Sequence, residues 1–271
     1  MMDIELKKEL NKWLIAFVNN TVLFTLTFFI VYIVYNLSIG AVAKLFGVNV
    51  LFSNYTIAAN SSKSDISSVV LIFLSGPVSL AILGIVFYTL FTKMKRKKGI
   101  MKIFFLWGYL NAFNMLLGFF VIGILTESGF GEITWRFSDV TKILLMFLSL
   151  LIIVLIGNTN SKYFFTTTFS KTFIENRRKR LMFIILEVIL PFIIGSLLFI
   201  LVNFSEGSFY QRAVLLTMLL MLMPSLRDKT NHKHIRIIKE SNTPSVVWGW
   251  FIVLAVLVVM YKIAWNYVVT I

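Results

Sequence analysis

Apolar residues fall in long unbroken runs along this chain, and the runs recur at fairly even intervals between polar, charged segments. Seven runs, at residues 13–37, 66–91, 103–125, 140–157, 181–203, 209–226 and 246–268, read as membrane-spanning helices. A span needs about 20 apolar residues, because a helix rises about 1.5 Å per residue and the hydrocarbon is about 30 Å thick. Helices are the natural element there, since each satisfies its own backbone hydrogen bonds where no water can. Residues 1–12 are charged but balanced, and Ile4, Leu6 and Leu10 form a partial apolar stripe, which predicts a short separate helix at the membrane surface. Residues 36–65 are less hydrophobic. Their alternating Val48, Val50 and Phe52 predict a short strand or hairpin at the interface. Gly76-Pro77 interrupts the second run, so that helix is expected to begin or bend there. The connection at 204–208 is so short that the fifth and sixth spans should form an antiparallel hairpin.

Composition strengthens this picture. With 58% hydrophobic and 14% charged residues and a mean hydropathy of +0.87, the 271 residues carry more apolar surface than a soluble domain of that length can bury. The fold class is therefore an all-α polytopic integral membrane protein, with the short β or interfacial segment after its first span. The sequence contains no cysteine, so neither disulfides nor thiolate metal sites brace it. The first apolar run is too long for a cleaved signal peptide and reads as a retained helix.

Charge sets the expected orientation. Segments 1–12, 92–102, 158–180 and 227–245 hold 20 of the 26 Lys and Arg, and seven crossings place them all on one side. Basic residues are retained on the cytoplasmic side during insertion. The N-terminus is accordingly expected inside a cytoplasmic or inner cell membrane and the C-terminus outside. The net charge of +14 reflects this topology rather than nucleic-acid binding, since its residues are split among loops without interleaved aromatics. Lys95, Arg96, Lys97 and Lys98, with Arg177, Arg178 and Arg180, are candidates for gripping anionic lipid head groups. Trp248, Trp250 and Trp265 flank the last span as interfacial anchors, and Lys44 and Lys262 are expected to snorkel from span ends.

Polar residues inside the spans are the remaining candidates. Glu187 lies in the fifth span with Pro191 four residues on, and an ionisable group at that depth marks a pathway or a polar partner. The alternative is a protonated side chain, or one snorkelling toward Arg177 to Arg180. Asn111 and Asn114 share a helix face with Gly118, which suits close helix packing with amide hydrogen bonds. His232 and His234 read as a solvated loop, as do Glu127, Glu132 and Asp139, which as a set have the chemistry for a hard cation. Asn54 and Asn60 head glycosylation triplets of the kind that arise by chance in such a loop. No phosphate loop, dinucleotide fingerprint or nucleophile elbow is present.

The first half also carries a resemblance. The run from Tyr35 to Val48 ends on Ala43-Lys44-Leu45-Phe46-Gly47-Val48, a polar segment follows, and the next helix contains Ser75-Gly76-Pro77. This order resembles the core of the site-2 protease family of intramembrane zinc metalloproteases. The resemblance implies a three-span core within residues 13–135, followed by a four-span C-terminal membrane domain at 136–271. It also implies that Tyr35, Asn36 and Ile39 stand where the family has its first His, its Glu base and its second His. Catalytic zinc requires three protein ligands, an open water position and a base. Tyr, Asn and Ile supply none of them, so the chain is expected to be a degenerate, non-hydrolytic member with no cofactor and no metal, leaving a groove between the first three spans for a substrate helix. Asn36 is retained as a candidate binding residue.

Three functions remain open on the sequence: a membrane scaffold binding a protein partner, a transporter or permease subunit of a membrane complex using Glu187, Asn111 and Asn114, and a membrane enzyme acting on lipid or peptide. The scarcity of His, the lack of Cys and the lack of paired carboxylates within the spans weigh against the enzyme.

Overall fold

The computed structural model describes residues 2–48, 50–53, 56–59, 66–94, 100–127, 131, 134, 137–166, 176–202, 209–227, 245–266 and 269–270. Seven helices follow in order. They are α1 (Met2–Leu45), α2 (Ile66–Met94), α3 (Met101–Thr126), α4 (Asp139–Thr166), α5 (Arg177–Val202), α6 (Phe209–Leu222) and α7 (Trp248–Asn266). The first five are long and apolar enough to cross a membrane, whereas the apolar parts of the last two, Arg212–Leu226 and Trp248–Ile263, are shorter. Among the described residues, five helices thus meet the length of a full span.

Helix α1 corrects the expected boundary at residue 12. It is continuous for 44 residues because no proline occurs in it and its one glycine comes late, at Gly40. At about 1.5 Å per residue it is about 66 Å long, twice the hydrocarbon thickness. It stops at Gly47, whose φ of +66° is open to glycine at little steric cost. The Val48 N–H bonds the Ala43 carbonyl and the Gly47 N–H that of Lys44, closing a Schellman cap. Beyond it, Val50–Ser53 pairs antiparallel with Thr56–Ala59 and with Val269–Thr270 in a small ladder.

Pro77 does not start α2, which already runs from Ile66. Gly76 just before it is needed for packing: a β-carbon there would overlap the Tyr35 ring of α1. Similarly, a β-carbon on Gly108 of α3 would stand 2.7 Å from the Phe87 ring of α2. Helices α1, α2 and α3 therefore close on one another through rings seated on glycine, and no groove opens between Tyr35 and Gly76.

Aromatic contacts establish the directions. Trp13 near the start of α1 meets Phe183 near the start of α5, and Phe183 stacks on Phe165 at the end of α4. Trp107 near the start of α3 meets Phe24 of α1 and Phe164 of α4. Odd-numbered helices run one way and even-numbered ones the other. One end of the bundle thus collects Lys7, Lys93, Lys102, Lys162, Arg177, Arg178, Arg180 and Arg227. Helix α6 runs opposite to α5 but packs against α3 and α4 instead, so the expected hairpin of the fifth and sixth spans does not form. At Gly157 of α4 a β-carbon would overlap the Met221 carbonyl of α6, and so close a backbone approach between helices is open only to glycine.

Candidate functional site

Helix α3 is the most enclosed of the shorter spans and carries polar groups along the face turned into the bundle. Trp107, Asn111, Asn114 and Gly118 recur at i, i+4, i+7 and i+11, one stripe of a 3.6-residue helix. All four are buried.

The innermost polar cluster joins α1, α3 and α5. Asn20 Nδ2 donates to Glu187 Oε2 at 2.8 Å and to the Ala16 carbonyl at 3.1 Å, while Asn20 Oδ1 accepts from Trp107 Nε1 at 3.3 Å. Glu187 is 2% exposed, and its Oε1 has no hydrogen-bond partner among the described residues. The backbone around it is a π turn, Ile185–Ile189, ending where the Leu190 N–H bonds the Ile185 carbonyl five residues back. Pro191 accounts for the widening, since its ring clashes with the carbonyl four residues earlier in a regular α-helix. The carboxyl therefore points into the bundle and does not snorkel toward Arg177 to Arg180.

One turn along α3, Asn111 Nδ2 donates to Thr27 Oγ1 at 2.9 Å and to the Phe24 carbonyl at 3.3 Å. Asn114 turns to α6 instead: Thr217 Oγ1 donates to its Oδ1 at 2.9 Å, and its Nδ2 donates to the Val214 carbonyl at 3.3 Å. Gly118 continues that contact, for a β-carbon there would sit 2.7 Å from Thr217 Oγ1. The two asparagines thus fasten α3 to two different helices. Tyr109 adds α4 by donating to Asn160 Oδ1.

Asn36 stands apart from this cluster. It is buried and donates to the Tyr32 carbonyl of its own helix at 3.0 Å. Beside it Tyr35 lies against Phe119, with ring centroids 4.5 Å apart, and Ile39 is 2% exposed. These donors do not suit zinc: a phenol ring turned onto glycine, an amide occupied by its own helix, and an aliphatic side chain. Among the described residues no three His, Asp or Glu come together.

The basic residues at the bundle end divide. Arg177 and Arg180 line a small pit with Arg227 and Phe165, while Arg178 is exposed elsewhere on α5. Asn176 starts that helix by accepting the Lys179 N–H at 2.9 Å. Lys95, Arg96, Lys97, Lys98, His232, His234, Glu132, Asn54 and Asn60, and the side chain of Trp265, lie outside the described residues. Glu127 forms the left-handed cap of α3 with φ 51°, and Asp139 reaches Lys142 at 3.5 Å, so these two acids have local roles.

Neither Asn20, one polar residue early in an apolar run, nor Trp107 is conspicuous in the sequence. Their signal was present as polar groups at turn spacing, Asn20 and Thr27 on α1 opposite Trp107 and Asn111 on α3. A buried carboxyl held by one amide can keep or release a proton. No second acid or imidazole pairs with it for relay or catalysis among the described residues.

The long apolar helices and their buried polar seams define the class: a multi-pass helical membrane protein. Comparison with family models, curated proteins and solved structures produced no match to this chain.

Proposed function

We propose that this protein is a non-catalytic membrane scaffold, a pseudoprotease-like subunit whose first three helices hold a partner protein. The observation that carries the reading is the packing of Tyr35, Asn36 and Ile39. The positions that hydrolysis would need for two imidazoles and a carboxylate are filled by a ring seated on Gly76, an amide satisfied within α1 and an aliphatic side chain. Helix α2 packs on α1 and α3 and turns a continuous apolar stripe outward, including Leu71, Val78, Ile82 and Ile85, each 48–59% exposed. That stripe is the surface offered to a partner helix.

Photo-crosslinking in intact cells tests this. A photoreactive residue at Val78 or Ile82 should yield one discrete protein adduct, and the same probe at Leu151 of α4 should yield lipid only. Lipid adducts at every position would refute the scaffold. A second reading, a transport subunit, is favoured by one specific observation, the buried carboxyl of Glu187 in its π turn. Under it, Glu187→Gln abolishes flux in reconstituted vesicles with folded protein retained; under the scaffold reading the adducts persist unchanged.

The orientation proposed is N-terminus cytoplasmic and C-terminus outside, supported by the basic ends gathered at one end of the bundle. Because the chain lacks cysteine, single cysteines are unambiguous reporters. One placed at Asp139 should react with an impermeant maleimide added outside cells, and one at Arg178 only after permeabilisation. The reverse pattern would invert the map.

A further inference from the structure

Helices α1 and α5 approach closely at Gly195, where a β-carbon would overlap Phe24. Toward the basic end they are held apart by larger groups, with Trp13 and Phe183 in tilted contact at 6.3 Å between centroids. The outcome is a groove of about 400 Å³ between them. Its α1 wall passes from Lys7 through Leu14 to Phe17, about 15 Å along the helix. Its α5 wall is Leu186, within the π turn that turns Glu187 inward, and Leu190, just past it.

The lining is ordered by polarity. Lys7 stands at the outer end, Asn11 one turn deeper, and everything beyond is apolar and open to the membrane, with Leu14 58% exposed. On α5, Met182 and Arg178 precede Leu186 at four-residue spacing, so the same stripe ends on the exposed Arg178. One cation, Lys7, thus lines the head of a groove whose body is hydrocarbon, and a second, Arg178, lies two turns along α5 from Leu186 toward the same end. We propose that this groove binds one anionic phospholipid, its phosphate between Lys7 and Arg178 and an acyl chain along Leu14, Phe17, Leu186 and Leu190.

The assignment is to a phospholipid rather than to a partner helix, because the cationic mouth and the apolar body follow the polarity of a single lipid. A cation near an anionic head group changes binding about fivefold. The test is native mass spectrometry of the full chain released from nanodiscs of equal phosphatidylglycerol and phosphatidylcholine. One phospholipid should be retained, with phosphatidylglycerol enriched about fivefold or more. Lys7→Glu with Arg178→Glu, both at exposed positions, should leave a lipid bound but bring the ratio to that of the nanodisc. Leu190→Trp should empty the groove, and Leu14→Trp, at a half-exposed position, repeats that test if the first variant fails to fold. No retained lipid, a ratio of one in the parent protein, a fatty-acid mass, or enrichment surviving the charge reversal would each overturn the proposal.

Discussion

Gly157→Ala is expected to lower the stability of the bundle at or above the upper end of the about 1–3 kcal/mol usual for overpacking a core. The added carbon would meet the Met221 carbonyl, a backbone group, so no side-chain rotation relieves the overlap and α4 must move away from α6. The seam between α3 and α6 would loosen with it, because Thr217 and Met221 lie on the same face of α6 at i, i+4. Tryptophan fluorescence during unfolding in mixed micelles reads the loss. The contrasting variant is Gly249→Ala in α7, where no atom of the described residues lies within 4 Å of the new carbon. There alanine should be neutral, or stabilise by about 0.5–1 kcal/mol through its helix preference. Equal midpoints for the two variants would mean that α4 and α6 are not in backbone contact.

Asn20→Leu should be nearly as costly, for a different reason. It leaves Glu187 Oε2 without its amide donor and Trp107 Nε1 without its acceptor. Each buried group so orphaned costs about 1–3 kcal/mol. Hydrogen bonds between membrane helices average about 0.6 kcal/mol, a smaller figure that applies where the released group finds another partner. Glu187 already has one oxygen without a partner among the described residues, so a substitute is scarce. Glu187→Gln keeps an acceptor for Asn20 and should unfold within about 0.5 kcal/mol of the parent protein, as a change that preserves the buried pair. Combining Asn20→Leu with Glu187→Leu removes both members of that pair and should recover part of the loss. A double variant whose cost is the plain sum of the two single ones would show that the pair does not interact.

The small residues and the buried amides were legible to different degrees. Asn111, Asn114 and Gly118 were recognisable as one packing face, because helical spacing alone puts them there. That Asn111 would grip α1 while Asn114 grips α6 was not, since residues three apart differ by about 60° around the axis and which neighbour fills each direction depends on the whole bundle. Glu187 was conspicuous as an acid in an apolar run. Its partner was not, because Asn20 is 167 residues away and nothing local distinguishes it from Asn19, whose amide instead holds Ser245 and Val247 at the start of α7.

The sequence by itself determined that the chain is helical and multi-pass, where most helices lie, and that basic residues share one end, since hydrocarbon thickness and backbone hydrogen bonding act on each segment separately. Only the tertiary structure decided that α1 runs unbroken past its charged start and that α6 leaves α5 for α3 and α4. It alone turned the Glu187 carboxyl inward and closed Tyr35 onto Gly76. Those outcomes depend on which surfaces meet, and surfaces distant in sequence meet according to shape and hydrogen bonding that no single segment encodes.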